Sequence, residues 1–511
     1  MKKTALLLVL VLLLSVAFAC TPKSVQSFTV EAGKAAFVQE ENARPTRVTA
    51  TVDLPAGKSF VADWGEAGVL VADVMDEETG AALYGVWRDG AYLLPCTFRR
   101  VDYAAPYYVA QYRDMESQGI EVYDRTGRML VGSQDTSARV VVVSDEYFAL
   151  YTTQNAQLFD AEGEAYFGEG IMQPTESVSA CGQYVLTIDT ALGSCRVWDG
   201  KNVLRRRFYE QDVRYVAAYI DGRFFVTALG KGTQNNYTYI EKTADETVYM
   251  RQRAWWYYPE TDVLEPTTID YVLLSVVNAC TAGVDATSWR TYGLNEGYSA
   301  AVVAELDRDK VHAGERYYVL DKDARPVVRY PVDVNPTAIR FRDDVGFAGS
   351  SLVSGAAALY DLACNMLWQK NDRRYATMRW QWGRLVASYR EDGRTLYGAF
   401  DAEGSVAVDF VYDYMSPYFG DRCAAKTDGR YVLLDGAGTP RTSIEIACPE
   451  HWLGYGVYAF RAGASVGVKN FAEETIVAAE WDELTAIGRN ADGTLYIVAR
   501  KGDTQRVLRI Q

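Results

Sequence analysis

Tyr397-Gly398-Ala399-Phe400-Asp401-Ala402-Glu403-Gly404-Ser405-Val406-Ala407-Val408-Asp409-Phe410-Val411-Tyr412-Asp413 is the stretch from which the fold can be read. Both ends are rich in aromatic and β-branched residues, which favour strands. Between them, the Asp401 side chain can cap a turn and Gly404 can take positive φ. Asp-x-x-Gly is therefore a strand–turn–strand signal. The same pairing of Asp with a preceding aromatic residue or Leu recurs at Tyr123-Asp124, Phe159-Asp160, Trp198-Asp199, Leu320-Asp321, Tyr360-Asp361 and Leu434-Asp435. With Phe400-Asp401 included, successive Asp residues are 36, 39, 122, 40, 40 and 34 positions apart. The long interval is close to three times 40.7, so a unit near forty residues fits throughout. Gly stands three residues after the Asp at Gly127, Gly163, Gly404 and Gly438. Ala324 and Cys364 hold that position in two other copies, which predicts looser turns, or turns of another type, there.

One unit, read outward, contains strands at 120–123, 128–131, 139–143 and 147–152 before Phe159-Asp160 restarts the pattern. That is four short strands with no helical period. Such a unit cannot bury both faces alone and must stack on its neighbours. The expected fold class is therefore all-β, a β-propeller of four-stranded repeats of about forty residues, with a β-solenoid as the second choice. Residues 34–511 hold about twelve such units, more than the four to eight blades usual in one propeller. Two packed propellers are preferred to one larger propeller with insertions. Periodicity is weakest over 230–298, the expected boundary or insertion.

A second landmark is a Gly that precedes a closing aromatic. Gly85 in Tyr84-Gly85-Val86-Trp87 leads to Phe98, Gly398 to Tyr412, and Gly467 in Val466-Gly467-Val468-Lys469 to Trp481, at offsets of 13, 14 and 14. These segments resemble the WG-repeat family, whose units run from an aromatic-Gly pair through an Asp/Gly turn to a closing Tyr-Asp. Three units match clearly and others in part, between about Tyr84 and Leu484. The resemblance implies a propeller-like repeat and says almost nothing about activity.

Residues 1–19 read as a signal peptide: Lys2 and Lys3, then a Leu/Val-rich run over 5–15 too short for an ordinary membrane span. Ala17-Phe18-Ala19-Cys20 resembles a bacterial lipobox. That resemblance implies that Cys20 becomes a lipidated N-terminus and that 20–33 is a flexible tether. Thr21 after the Cys, in place of Asp, suggests the outer membrane. A tether without an acidic run favours its periplasmic face over the cell surface.

The chain has 511 residues and a formal charge of -15, or -17 without residues 1–19, where Lys2 and Lys3 are the only charges. A field of that sign repels phosphate backbones and excludes nucleic acid as an expected partner. At 49% hydrophobic and 23% charged residues, the chain is not a disordered one. Eight cysteines form no C-x-x-C pair, and Cys181 with Cys195 is the nearest pair for a disulfide. His312 and His451 are the only histidines, and neither has a Cys or His neighbour at ligand spacing, so no metal site and no cofactor is expected.

Trp255, Trp256, Tyr257 and Tyr258, in the run Arg253-Ala254-Trp255-Trp256-Tyr257-Tyr258, are the candidate binding residues. They would form a glycan platform if exposed together; otherwise alternate residues pack against neighbouring blades. The run at 73–78 lacks the alternating acids and the Gly of an EF-hand loop. Gly463-Ala464-Ser465-Val466-Gly467 matches G-x-S-x-G but continues as a strand, where a nucleophile elbow needs a helix. No catalytic residue is assigned. The sequence reads as a lipid-anchored, non-catalytic envelope scaffold that engages another envelope protein. The alternatives are a glycan-binding lipoprotein and a propeller hydrolase with carboxylates in a central funnel.

Overall fold

A computed structural model describes residues 28–511 apart from 38–42, 74–80, 113–118, 169–170, 190, 231–239, 243–247, 251–252, 268, 270, 277–293, 296, 305–314, 331–345, 351–356, 373 and 491. The described chain is almost entirely antiparallel β-sheet. Six sheets have four strands and three have three; a seven-stranded sheet divides into two four-stranded units that share the long strand Ala91–Ala104. One half of that strand pairs with Tyr84–Arg88 and the other with Tyr107–Tyr112. The result is eleven units, numbered here in chain order from Ser59–Asp63.

The units form a β-propeller closed as a single ring. Each interface between consecutive units holds its own apolar core. Leu70, Val86, Val101 and Tyr108 join units one and two. Leu359, Trp380 and Phe400 join seven and eight, and Trp452, Val468, Ile497 and Leu508 join ten and eleven. The last interface, between eleven and one, is built from Leu54, Val69, Val71, Val498 and Val507. Hydrogen bonding between the two ends of the chain closes the ring as well: Val48–Asp53 supplies the fourth strand of unit eleven and pairs with Thr504–Ile510 from Val48–Ile510 to Asp53–Arg506. The two-propeller expectation is corrected on this ground, since a chain leaving one ring for another would break the stacking where it crossed.

Fourth strands such as Leu204–Phe208 and Val263–Thr267 are the most exposed, whereas second and third strands such as Ala357–Tyr360 are buried. Blades splay towards the periphery, so the fourth strand is the outer one and the first strand faces the axis.

The seven Asp turns share one geometry. Asp401 Oδ1 accepts the N–H groups of Glu403 (3.1 Å) and Ser405 (2.7 Å), and the Gly404 N–H donates to the Asp401 carbonyl (3.2 Å). Asp124, Asp160, Asp199, Asp321, Asp361 and Asp435 repeat it. Ala324 and Cys364 do not loosen the turn: they take φ of 57° and 66° and keep every hydrogen bond. The cost of positive φ for a residue with a Cβ is offset by the bonds the Asp makes. Asn470, with Glu473 at φ 67°, is a further copy in unit ten.

The interval of 122 residues spans two steps rather than three. The hairpin Ile240–Lys242 with Val248–Met250 is inserted between the second and third strands of unit five, and the connection from Val276 to Ser299 in unit six is long. These excursions occupy most of 230–298, which lies inside the ring's fifth and sixth units. They also reduce twelve expected units to eleven.

Residues 28–36 belong to the packed structure. Helix Val30–Ala36 starts at Thr29, whose Oγ1 accepts the Ala32 N–H, and Gly33 lies directly against the Leu362 carbonyl. Phe37, Leu294, Phe347 and Leu362 share a core there. Farther on, Arg44 pairs with Asp421 at 2.8 Å and the Pro45 carbonyl accepts from Asn470. The described residues of the N-terminal segment thus touch units six and seven, then nine and ten, before the chain enters unit eleven.

Candidate functional site

The aromatic run occupies strand Arg253–Tyr258, the third strand of unit five, and strand alternation decides its fate. Trp256 is buried against unit six in the core of Phe225, Leu273 and Tyr318, with Tyr258 packed beside it. Tyr257 is fully buried against unit four in the core of Cys181, Phe208 and Phe224, with Trp255 beside it. Arg223 stacks over Trp256, 3.8 Å from the ring centroid, and reaches Asp323 of unit six at 2.7 Å. Trp255, Trp256, Tyr257 and Tyr258 are therefore packing between blades, and the platform that a glycan would need is not formed by them. Cys20, the signal peptide, His312 and most of the 73–78 run lie outside the described residues.

Candidate nucleophiles hold structural positions. Ser465 begins the strand Ser465–Asn470 after a hairpin turn at Gly463, so G-x-S-x-G here is strand–turn–strand. Burial pushes the Cys195 and Cys423 thiols up to about 12 and Cys448 to about 11, which leaves them protonated and weakly nucleophilic near neutrality. Cys181 and Cys195 share one core as free thiols. Among the described residues, no group of three His, Cys, Asp or Glu side chains is placed to hold a metal.

A cavity of about 330 Å³ lies at the inner edge of units eight to ten. Unit eight contributes Arg379 and Gln381 from its first strand, with Val386 and Tyr397 behind them. Unit nine contributes Tyr414, Met415, Ser416 and Pro417. The described part of unit ten has no first strand; the 3₁₀ helix Glu450–Tyr455 precedes its strands and brings His451 and Gly454 to the cavity.

Its polar groups divide into satisfied and unsatisfied. The Tyr418 N–H donates to Gln381 Oε1 at 2.7 Å, which fixes the amide orientation and leaves Nε2 buried without a partner. Ser416 Oγ accepts from the Ala424 N–H and donates to the Pro417 carbonyl. Glu450, next to His451 but not part of the cavity lining, is engaged by Tyr431 at 2.7 Å and Lys426 at 3.1 Å. Arg379 and His451 are exposed and form no ion pair among the described residues. Burial pushes the Tyr414 phenol up to about 12, with Glu450 adding to the shift and Arg379 opposing it. The cavity wall presents donors, aromatic faces and no carboxylate. A hydrolase of the kind considered above needs two converging carboxylates, and this cavity does not supply them.

Sequence reasoning missed this site because its residues come from segments separated by whole units. His451 has no Cys or His neighbour at ligand spacing, so nothing local to it points to a site. No local motif marks the cavity; the irregular stretch at 445–456, where a strand should begin, is the one visible signal.

Neither a family model nor a curated protein matches the sequence. Solved structures with similar blades include BamB from Moraxella catarrhalis, at 12% identity over 80% of this chain and 96% of that one, with a TM-score of 0.27. The Pan2 WD40 domain of Neurospora crassa matches at 12% identity over 67% and 99%, with a TM-score of 0.23. Dipeptidyl peptidase 4 of Porphyromonas gingivalis matches at 9% over 78% and 63%, with a TM-score of 0.28.

Proposed function

We propose that this chain is a lipid-anchored envelope scaffold of the WG-repeat kind, held through Cys20 at the periplasmic face of the outer membrane and binding another envelope protein by its rim. The observation that carries the reading is a set of exposed apolar side chains on the outer strands of units seven and eight. Met366, Leu367 and Val406 are 54%, 48% and 54% exposed. Trp368 Nε1, bonded to the Ala402 carbonyl, locks the two blades together beneath them. Apolar side chains on an outer strand with an unpaired edge suit a protein partner that adds its own strand or packs a flat face there. The resemblance to WG repeats is supported by the common geometry of Gly85, Gly398 and Gly467, each lying under the carbonyl of the facing strand.

The test is affinity capture of the tagged, lipidated protein from crosslinked envelopes, beside Cys20→Ala and Met366→Lys/Val406→Lys. A single stoichiometric envelope protein that is lost with the double variant is the expected result. Equal capture by wild type and double variant, or no protein in either, would refute the rim as a docking surface.

A further inference from the structure

We propose that the cavity between units eight and ten binds a carboxylate joined to a small apolar or aromatic body, either a free organic acid or the C-terminal residue of a peptide. The inference stands apart from the rim reading and shares none of its residues.

Three observations converge. The wall offers Arg379, His451 and the unpartnered Gln381 Nε2 as donors, with no carboxylate lining it. Gln381 is 1% exposed, and a buried amide N–H without an acceptor is unfavourable unless a ligand supplies one. The one acid beside His451, Glu450, is already engaged by Lys426 and Tyr431, so it does not cancel the donors. In a chain of charge -15, the long-range field opposes anions, and attraction has to be local.

The remainder of the wall sets the rest of the ligand. Tyr397 and Tyr414, tilted at 57° with centroids 6.2 Å apart, join Val386, Met415 and Pro417 in an apolar surface. A volume of about 330 Å³ is at the low end for small-molecule sites, room for one amino-acid-sized group rather than an extended chain. Arg379 can hold a carboxylate through two parallel N–H donors, the geometry that distinguishes it from a point charge.

The experiment is calorimetric titration of the full chain with N-acetyl-L-phenylalanine and with a pentapeptide ending in phenylalanine, each against its C-terminal amide. An acid that binds at least about tenfold more tightly than its amide is expected, and whichever acid does so names the source. Gln381→Glu keeps the acceptor for the Tyr418 N–H and replaces the free donor with an oxygen, and should weaken the acid at least about tenfold. Should that buried change unfold the chain, the exposed Arg379→Gln variant gives the same readout. Equal affinity for acid and amide, no binding by either, or full affinity in Arg379→Gln would overturn the proposal.

Discussion

A Cβ placed on Gly398 would lie 2.7 Å from the carbonyl oxygen of Val408. Tyr397 pairs with Tyr412 and Ala399 with Val408, so 409–411 bulge across residue 398. Gly85 under Leu94 and Gly467 under Val477 repeat the relation, with Tyr84 opposite Phe98 and Val466 opposite Trp481. The Gly-to-aromatic offset of 13 or 14 residues is therefore the length of a hairpin with a bulge, and its Gly is needed for space rather than for φ. Gly398→Ala should destabilise by about 2–4 kcal/mol. Gly454→Ala, whose added Cβ meets nothing within 4 Å, should leave the urea midpoint nearly unchanged.

Trp256 tests packing against display. Trp256→Ala removes a side chain 8% exposed and should reduce stability by about 3–5 kcal/mol in chemical denaturation. A side chain on an open platform would give a change of under about 0.5 kcal/mol.

The Asx turns predict a split between two conservative variants. Asp401→Ala leaves the Glu403 and Ser405 N–H groups without their acceptor and should lose about 1–2 kcal/mol. Asp401→Asn keeps an acceptor oxygen, as Asn470 does for Ala472 and Glu474, and should cost less than half as much. Thermal melts of the two variants check the order.

Asp435 gives the pH dependence. The Thr439 N–H, 2.9 Å from Oδ1, and Arg441, 2.7 Å from Oδ2, hold its carboxyl below the ordinary Asp value. Because the folded value is depressed, the unfolded chain binds more protons as pH drops. The stabilisation is present above about 3.9 and is lost as pH falls through the folded value. Urea midpoints measured from pH 5 downward should fall, and Asp435→Asn should flatten part of that slope.

The ring's seam rests on a charged pair. Arg509 of unit eleven donates to both carboxylate oxygens of Asp63 in unit one, at 2.6 and 3.0 Å, and to the Gly65 carbonyl. The Asp63 side chain is fully buried. Removing one partner strands a buried charge, so Asp63→Ala should lose about 3–5 kcal/mol, whereas Asp63→Leu/Arg509→Met should lose less than either single change. Double-mutant denaturation cycles measure the coupling.

The sequence by itself determined the repeat length and the turn chemistry but not where a unit ends, since the four strands read over 120–152 divide between units two and three. Alternating strand residues, Asp at seven of the turns and Gly under three of the bulges are local requirements of backbone geometry, and local requirements repeat visibly. It also carried the expectation of an anchor at Cys20. It did not determine how many units close the ring, because the insertion in unit five mimicked a missing repeat. It could not tell whether Trp256 and Tyr257 were displayed or packed, because alternation buries both sides of a strand when both neighbours are blades. Only the tertiary structure decided these points, together with the turns at Ala324 and Cys364 and the cavity that gathers Arg379, Gln381, Tyr414 and His451. Each depends on which surfaces meet, and in a closed ring that is fixed by stacking between units that no short stretch of sequence contains.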